Sequence, residues 1–128
     1  MRYLLDTHLL IWLALDDDRL PQVVATIHEN PENDLFFSVI SIWETAIKQS
    51  LGRIDFQIDA GLLRASLLDE GYTEVPVESR HALDVRNLPP LHRDPFDRML
   101  VSQSRVEGLV LLTSDDDICK YSGPIKRV

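Results

Sequence analysis

Short apolar runs alternate with amphipathic stretches along this chain, and each change of period marks an element boundary. Residues 3–5 (Tyr-Leu-Leu) form a compact apolar run ahead of the polar Asp6, Thr7 and His8, which predicts a buried strand. Residues 9–15 are apolar around Trp12 and predict a helix ended by Asp16, Asp17 and Asp18. Pro21 opens a helix through residue 30, because proline suits a first helical turn. Residues 35–37 (Leu-Phe-Phe) read as a second buried strand. In Ser41-Ile42-Trp43-Glu44 an acid follows a serine by three positions. This capping-box spacing predicts a helix to residue 51, stopped by Gly52. Residues 58–70 are amphipathic and closed by Gly71, residues 72–75 alternate like a strand, and residues 78–87 form a helix ended by Pro89 and Pro90. Asp94-Pro95-Phe96-Asp97 combines a cap, a proline and a first-turn acid, and predicts a helix ending near Gly108. Residues 109–112 are the clearest buried strand, Asp115, Asp116 and Asp117 follow, and a last short strand is expected within 125–128. Strands alternating with helices predict an α/β domain whose central, mainly parallel sheet is covered on both faces.

Composition narrows the class. The 128 residues suit one domain, and 45% hydrophobic content supports a packed core. A formal net charge of -8 argues against a broad basic face for nucleic acid, but not against acids neutralised locally by bound metal. Cys119 is the sole cysteine, which excludes a disulfide framework and a thiolate zinc site. The N-terminal apolar run is interrupted at Asp6, unlike a signal peptide, and no stretch is long enough to span a bilayer. A soluble, cytoplasmic protein is expected.

The chemistry lies in the acids. Asp6 and Asp115 each stand just beyond an apolar strand, at the strand ends where open parallel sheets gather ligands. Glu44 and Asp97 fall in the first turns of predicted helices, which begin at the same rim. Four converging carboxylates repel one another unless protonated or offset by cations. Oxygen-only ligation selects Mg2+, with Mn2+ as the other candidate, over zinc. Such ions activate water and stabilise the oxygens of a phosphoryl group, which points to phosphodiester hydrolysis.

Four segments carry a family likeness: Leu4-Leu5-Asp6-Thr7-His8, residues 41–48 from Ser41 through Glu44 to Lys48, residues 92–100 around Asp94-Pro95-Phe96-Asp97-Arg98, and Leu112-Thr113-Ser114-Asp115. In this order they resemble PIN-domain proteins, and most of all VapC-type toxins of toxin–antitoxin pairs. The resemblance spans nearly the whole chain. It implies a PIN-like sheet of four or five parallel strands, magnesium- or manganese-dependent ribonuclease activity, a homodimer or toxin–antitoxin hetero-oligomer, and inhibition by a cognate antitoxin protein. It matches Asp6, Glu44, Asp97 and Asp115 to the acidic site, and Thr7 and Thr113 to supporting hydroxyl positions. Ser102 and Ser104 depart from the alanines common in this helix.

Each residue also has a structural reading. Asp6 can cap the helix after it. Glu44 can bond back to Ser41 as half of a capping box, a role that competes with metal for one side chain. Asp94 is better placed as the cap and Asp97 as the ligand, while Asp117 divides evenly between assisting the site and capping a turn. Lys48 and Arg98 are candidates for RNA phosphate, set against ordinary surface pairing, and Arg93 likewise. His8 and His92 flank the acids, but metal-activated water needs neither as a base. For Trp12, Trp43 and Phe96, core packing is favoured over base stacking. The competing functions are a DNA nuclease or phosphatase using the same acids, or a magnesium-binding signalling or binding domain without catalysis. A signalling receiver would need an acidic pair at its first strand and a late lysine, neither of which is evident.

Overall fold

The computed structural model describes residues 1–52 and 57–128. Its strands are β1 (Arg2–Leu5), β2 (Asp34–Ser38), β3 (Thr73–Val75), β4 (Val110–Thr113) and β5 (Ile125–Arg127). They pair in the order β3-β2-β1-β4-β5, and every pairing is parallel. The helices are α1 (Thr7–Ala14), α2 (Gln22–Glu29), α3 (Val39–Ser50), α4 (Ala60–Asp69), α5 (Ser79–Asp84) and α6 (Pro95–Glu107), with short 3-10 turns at Val85–Asn87 and Ile118–Lys120. The expected α/β architecture is thus realised with five strands.

The apolar runs at 3–5 and 109–112 are continuous because both sheet faces are covered. Successive strand side chains point to opposite faces. Tyr3, Leu5 and Leu112 therefore join one core cluster with Leu9, Leu10, Val24, Leu63 and Leu67. Leu4 and Leu111 join the other with Ile40, Leu100 and Val101. Each fully buried leucine of this kind contributes about 1.5–3 kcal/mol.

Helix starts depart from the sequence reading in two places that matter for function. α1 begins at Thr7, not residue 9, because Asp6 is its N-cap and accepts the Leu9 N–H at 3.0 Å. α3 begins at Val39, directly after β2, and its cap is Ser38, whose hydroxyl oxygen accepts the Ile40 N–H at 3.0 Å. The Ser38 hydroxyl in turn donates to Gln103 Oε1 of α6 at 2.5 Å. Ser41 is therefore inside the helix, and the expected Ser41–Glu44 capping box does not form. A capping box does form at α5, between Glu78 and His81. α6 matches its expected bounds: Asp94 caps it, Pro95 opens it, and Gly108 closes it at φ 66°, a left-handed conformation suited to glycine. Among the described residues, no helix is long and apolar enough to cross a membrane.

Candidate metal centre

β1 and β4 are adjacent, with Leu5 opposite Leu112, so Asp6 and Thr113 emerge side by side. The Asp6 N–H donates to Leu112 O at 3.0 Å, extending the ladder by one residue before α1 turns away. The Asp6 side chain is buried, and both its oxygens are held. Oδ1 accepts the Leu9 N–H, and Oδ2 accepts the Thr113 hydroxyl at 2.5 Å. Thr113 Oγ1 also accepts the Asp115 N–H at 3.0 Å, so one hydroxyl ties Asp6 to the loop carrying Asp115. Asp115 Oδ1 accepts the Asp117 N–H at 2.8 Å.

Glu44 is the sixth residue of α3, with 3% of its surface exposed. Freed from any capping role, it accepts a bond from Lys48 Nζ on Oε2 at 2.8 Å, while Oε1 is buried with no hydrogen-bond partner. Burying an unsatisfied carboxylate oxygen is costly, and a cation relieves that cost. Thr7 donates to Ser41 Oγ at 2.9 Å, tying the start of α1 to α3 beneath the acids.

Asp97 lies in the first turn of α6, where Asp94 caps the helix by accepting the Phe96 and Asp97 N–H groups at 2.8 and 3.2 Å. Asp97 Oδ2 is 2.8 Å from His92 Nε2. Burial pushes the Asp97 carboxyl up to about 7, against the His92 hydrogen bond and with the charges of Asp94, Glu44 and Asp115 adding to the rise. Burial likewise raises Asp6, opposed by its bonds to Thr113 and Leu9, and the Asp115 charge adds to the rise. Asp6, Glu44, Asp97 and Asp115 thus share one electrostatic environment despite their separation in sequence. Among the described residues there, His92, Asp94 and Asp97 form a group whose potential ligand atoms lie within 4.8 Å of one another.

The remaining candidates are placed as follows. Asp117 pairs with Lys120 at 2.8 Å and lies 3.9 Å from His92 Nδ1. Arg98 directs Nη2 to the carbonyls of Val85 and Leu88 at 3.3 and 3.4 Å, bracing the 3-10 turn before α6. Arg93 and His8 are exposed. Trp12 packs partly buried against the core beneath the Arg19 guanidinium. Trp43 departs from the core-packing expectation: it is 56% exposed and meets the ring of the partly buried Phe96 edge-on at 5.3 Å. In sequence Trp43 reads as the apolar residue and Ser41 and Glu44 as the polar ones, but α3 turns Ser41 and Glu44 inward and Trp43 outward. Ser41 as a hydroxyl partner, and His92 as a partner of Asp97, were not assigned from sequence. Thr7 and Ser41 are 34 positions apart and carry no local signal of contact. The five-residue spacing of His92 and Asp97 hinted only at proximity.

An all-oxygen set of carboxylates, one with an orphaned buried oxygen, fits a hard divalent cation. The acids named from sequence that share this environment are Asp6, Glu44, Asp97 and Asp115, and Asp94 joins Asp97 and His92 in the close grouping.

Comparisons agree with this architecture. The family model described as PIN domain matches residues 3–124. The fold is similar to a chain in the crystal structure of VapBC2 from Rickettsia felis bound to a DNA fragment from their promoter, with TM-score 0.74 and 14% identity, over 100% of this chain and 99% of that one. It is also similar to a chain of VapBC-1 from nontypeable Haemophilus influenzae, with TM-score 0.62 and 20% identity, over 99% of this chain and 98% of that one. No match was found among the curated proteins.

Proposed function

Because this chain belongs to the PIN-domain family, we propose that it is a metal-dependent endoribonuclease, the toxin of a toxin–antitoxin pair, hydrolysing RNA phosphodiester bonds by metal-activated water. The observation that carries this reading is the buried Glu44 Oε1, without a hydrogen-bond partner, in the same acidic environment as Asp97, whose carboxyl is pushed up to about 7. A fold that tolerates such a group without metal is expected to use it with metal.

When bound, Mg2+ or Mn2+ supplies water activation and charge stabilisation at the phosphoryl oxygens. Asp6, Glu44, Asp97 and Asp115 are proposed to hold the ion. Thr113 orients Asp6 and the Asp115 loop, and Thr7 braces α1 against α3 through Ser41. Lys48, which pairs with Glu44 at 2.8 Å, is proposed to meet substrate phosphate. Arg98 is the weaker candidate for that contact, because its guanidinium already serves backbone carbonyls. A fold shared with VapBC proteins, together with the VapC-like motifs, supports a cognate antitoxin as partner. An acidic cleft accepts an antitoxin Arg or Lys in place of metal.

The deciding assay offers purified protein RNA, DNA and a small phosphoester, each with Mg2+, Mn2+ or EDTA. Cleavage of RNA alone, stopped by EDTA, is the expected result. Undiminished cleavage by metal-free protein refutes the mechanism, and preference for DNA or the small ester refutes the substrate.

A further inference from the structure

We propose that His92 is a positioning residue of the acidic site, holding the Asp97 carboxylate so that Oδ2 is occupied and Oδ1 stays available to the cation. This rests on the metal-dependent reading above.

The His92 and Asp97 side chains are 16% and 14% exposed and meet at 2.8 Å. In the ionised form that a cation would take, the carboxylate only accepts, so there the imidazole Nε2–H is the donor to Oδ2. Among the described residues no other hydrogen bond reaches the Asp97 carboxylate. The main chain of the same turn is held separately by Asp94, which accepts the Asp97 N–H. Asp94 therefore fixes the backbone of Asp97 and His92 fixes its side chain. The other ring nitrogen of His92 lies 3.9 Å from Asp117 Oδ2, so the imidazole sits between the start of α6 and the loop after β4. Glu44 repeats the pattern, with Lys48 on Oε2 and Oε1 without a partner. In both acids one oxygen is tethered and the other left, which turns a flexible carboxylate into an aimed ligand. Hydrogen bonds of this kind to metal ligands are worth about 10–100-fold in metal affinity.

Two other roles compete. As a plain strut between loop and helix, His92 would affect folding but not metal affinity. As a direct ligand, it would bind through the nitrogen now engaged by Asp97, and an amide could not replace it.

The test is titration of purified protein with Mn2+, following free manganese by electron paramagnetic resonance, with the metal-free melting temperature as a fold control. His92→Phe keeps a ring and loses the donor; His92→Gln restores an N–H at similar reach. His92→Phe is expected to bind Mn2+ about 10–100-fold more weakly while His92→Gln recovers most of the loss, both melting near wild type without metal. If the Phe variant does not fold, His92→Asn, whose shorter amide falls short of Oδ2, takes its place. Wild-type affinity in the donor-free variant overturns the proposal, as does a Gln variant equally weak. A wild-type protein that binds no Mn2+ overturns the metal reading itself, a result distinct from either.

Discussion

Thr113 donates its hydroxyl to Asp6 Oδ2 at 2.5 Å, so the ends of β4 and β1, 107 residues apart in sequence, are joined at the carboxyl edge of the sheet. Thr113 Oγ1 also accepts the Asp115 N–H. Thr113→Val keeps the shape and removes both bonds. It is expected to cost about 1–3 kcal/mol, since buried groups on either side lose their partner. The Asp6 carboxyl should rise further, because the Thr113 bond favours its charged form. Urea denaturation in EDTA reads the first effect. Unchanged stability would mean the contact is not maintained in solution.

Asp94 and Asp97 share one helical turn but divide its work. Asp94→Ala removes the cap of α6 and should destabilise by about 0.5–2 kcal/mol, with residual nuclease activity. Asp97→Ala should retain the fold and abolish cleavage. Activity that disappears only with Asp94 reverses the assignment.

The raised Asp97 carboxyl makes stability and metal binding respond to pH in opposite senses. This group ionises near 3.8 in the unfolded chain and near 7 in the folded, metal-free protein. Between those values the folded protein retains a proton that the unfolded chain has released. Its contribution to stability is therefore full below about 3.8, declines as pH rises, and is lost above about 7. Metal displaces that proton, so affinity should climb as pH rises towards 7 and level off above it. Asp97→Asn should flatten this part of the metal-free stability profile. Thermal melts across pH 4–8 in EDTA, paired with Mn2+ titrations, check both slopes, and parallel profiles for wild type and variant would exclude Asp97 as the source.

Asp6→Asn separates a cap from a ligand. Asparagine can still accept the Leu9 N–H, and the change removes a buried charge, although Thr113 loses its carboxylate acceptor. Metal-free stability should stay within about 1 kcal/mol of wild type, because the terms oppose. The metal-induced gain, about 2.7 kcal/mol at a hundredfold excess over Kd for a protein that binds only when folded, should largely vanish along with cleavage. An undiminished metal shift with normal cleavage would leave Asp6 a helix cap and nothing more.

What the sequence by itself determined is local in origin. Continuous apolar runs at 3–5 and 109–112 marked strands buried on both faces, and the helical stretches between them required parallel pairing. Asp94-Pro95 and Gly108 bounded α6 because caps act within a single turn. The place of two acids in the fold was legible too: Asp6 directly follows β1, and Asp115 lies just beyond the end of β4. Only the tertiary structure decided how those acids are held. Ser38 displaced Ser41 as the cap of α3 because β2 runs straight into the helix and Gln103, 65 residues away, meets the Ser38 hydroxyl. That shift withdrew Glu44 from the capping box and left its Oε1 buried without a partner. The exposure of Trp43 was equally invisible, because an apolar residue's direction depends on which helix face the neighbouring elements cover. Hydrogen-bond partners distant in sequence leave no periodic trace. They arise where the chain's separate segments are packed against one another.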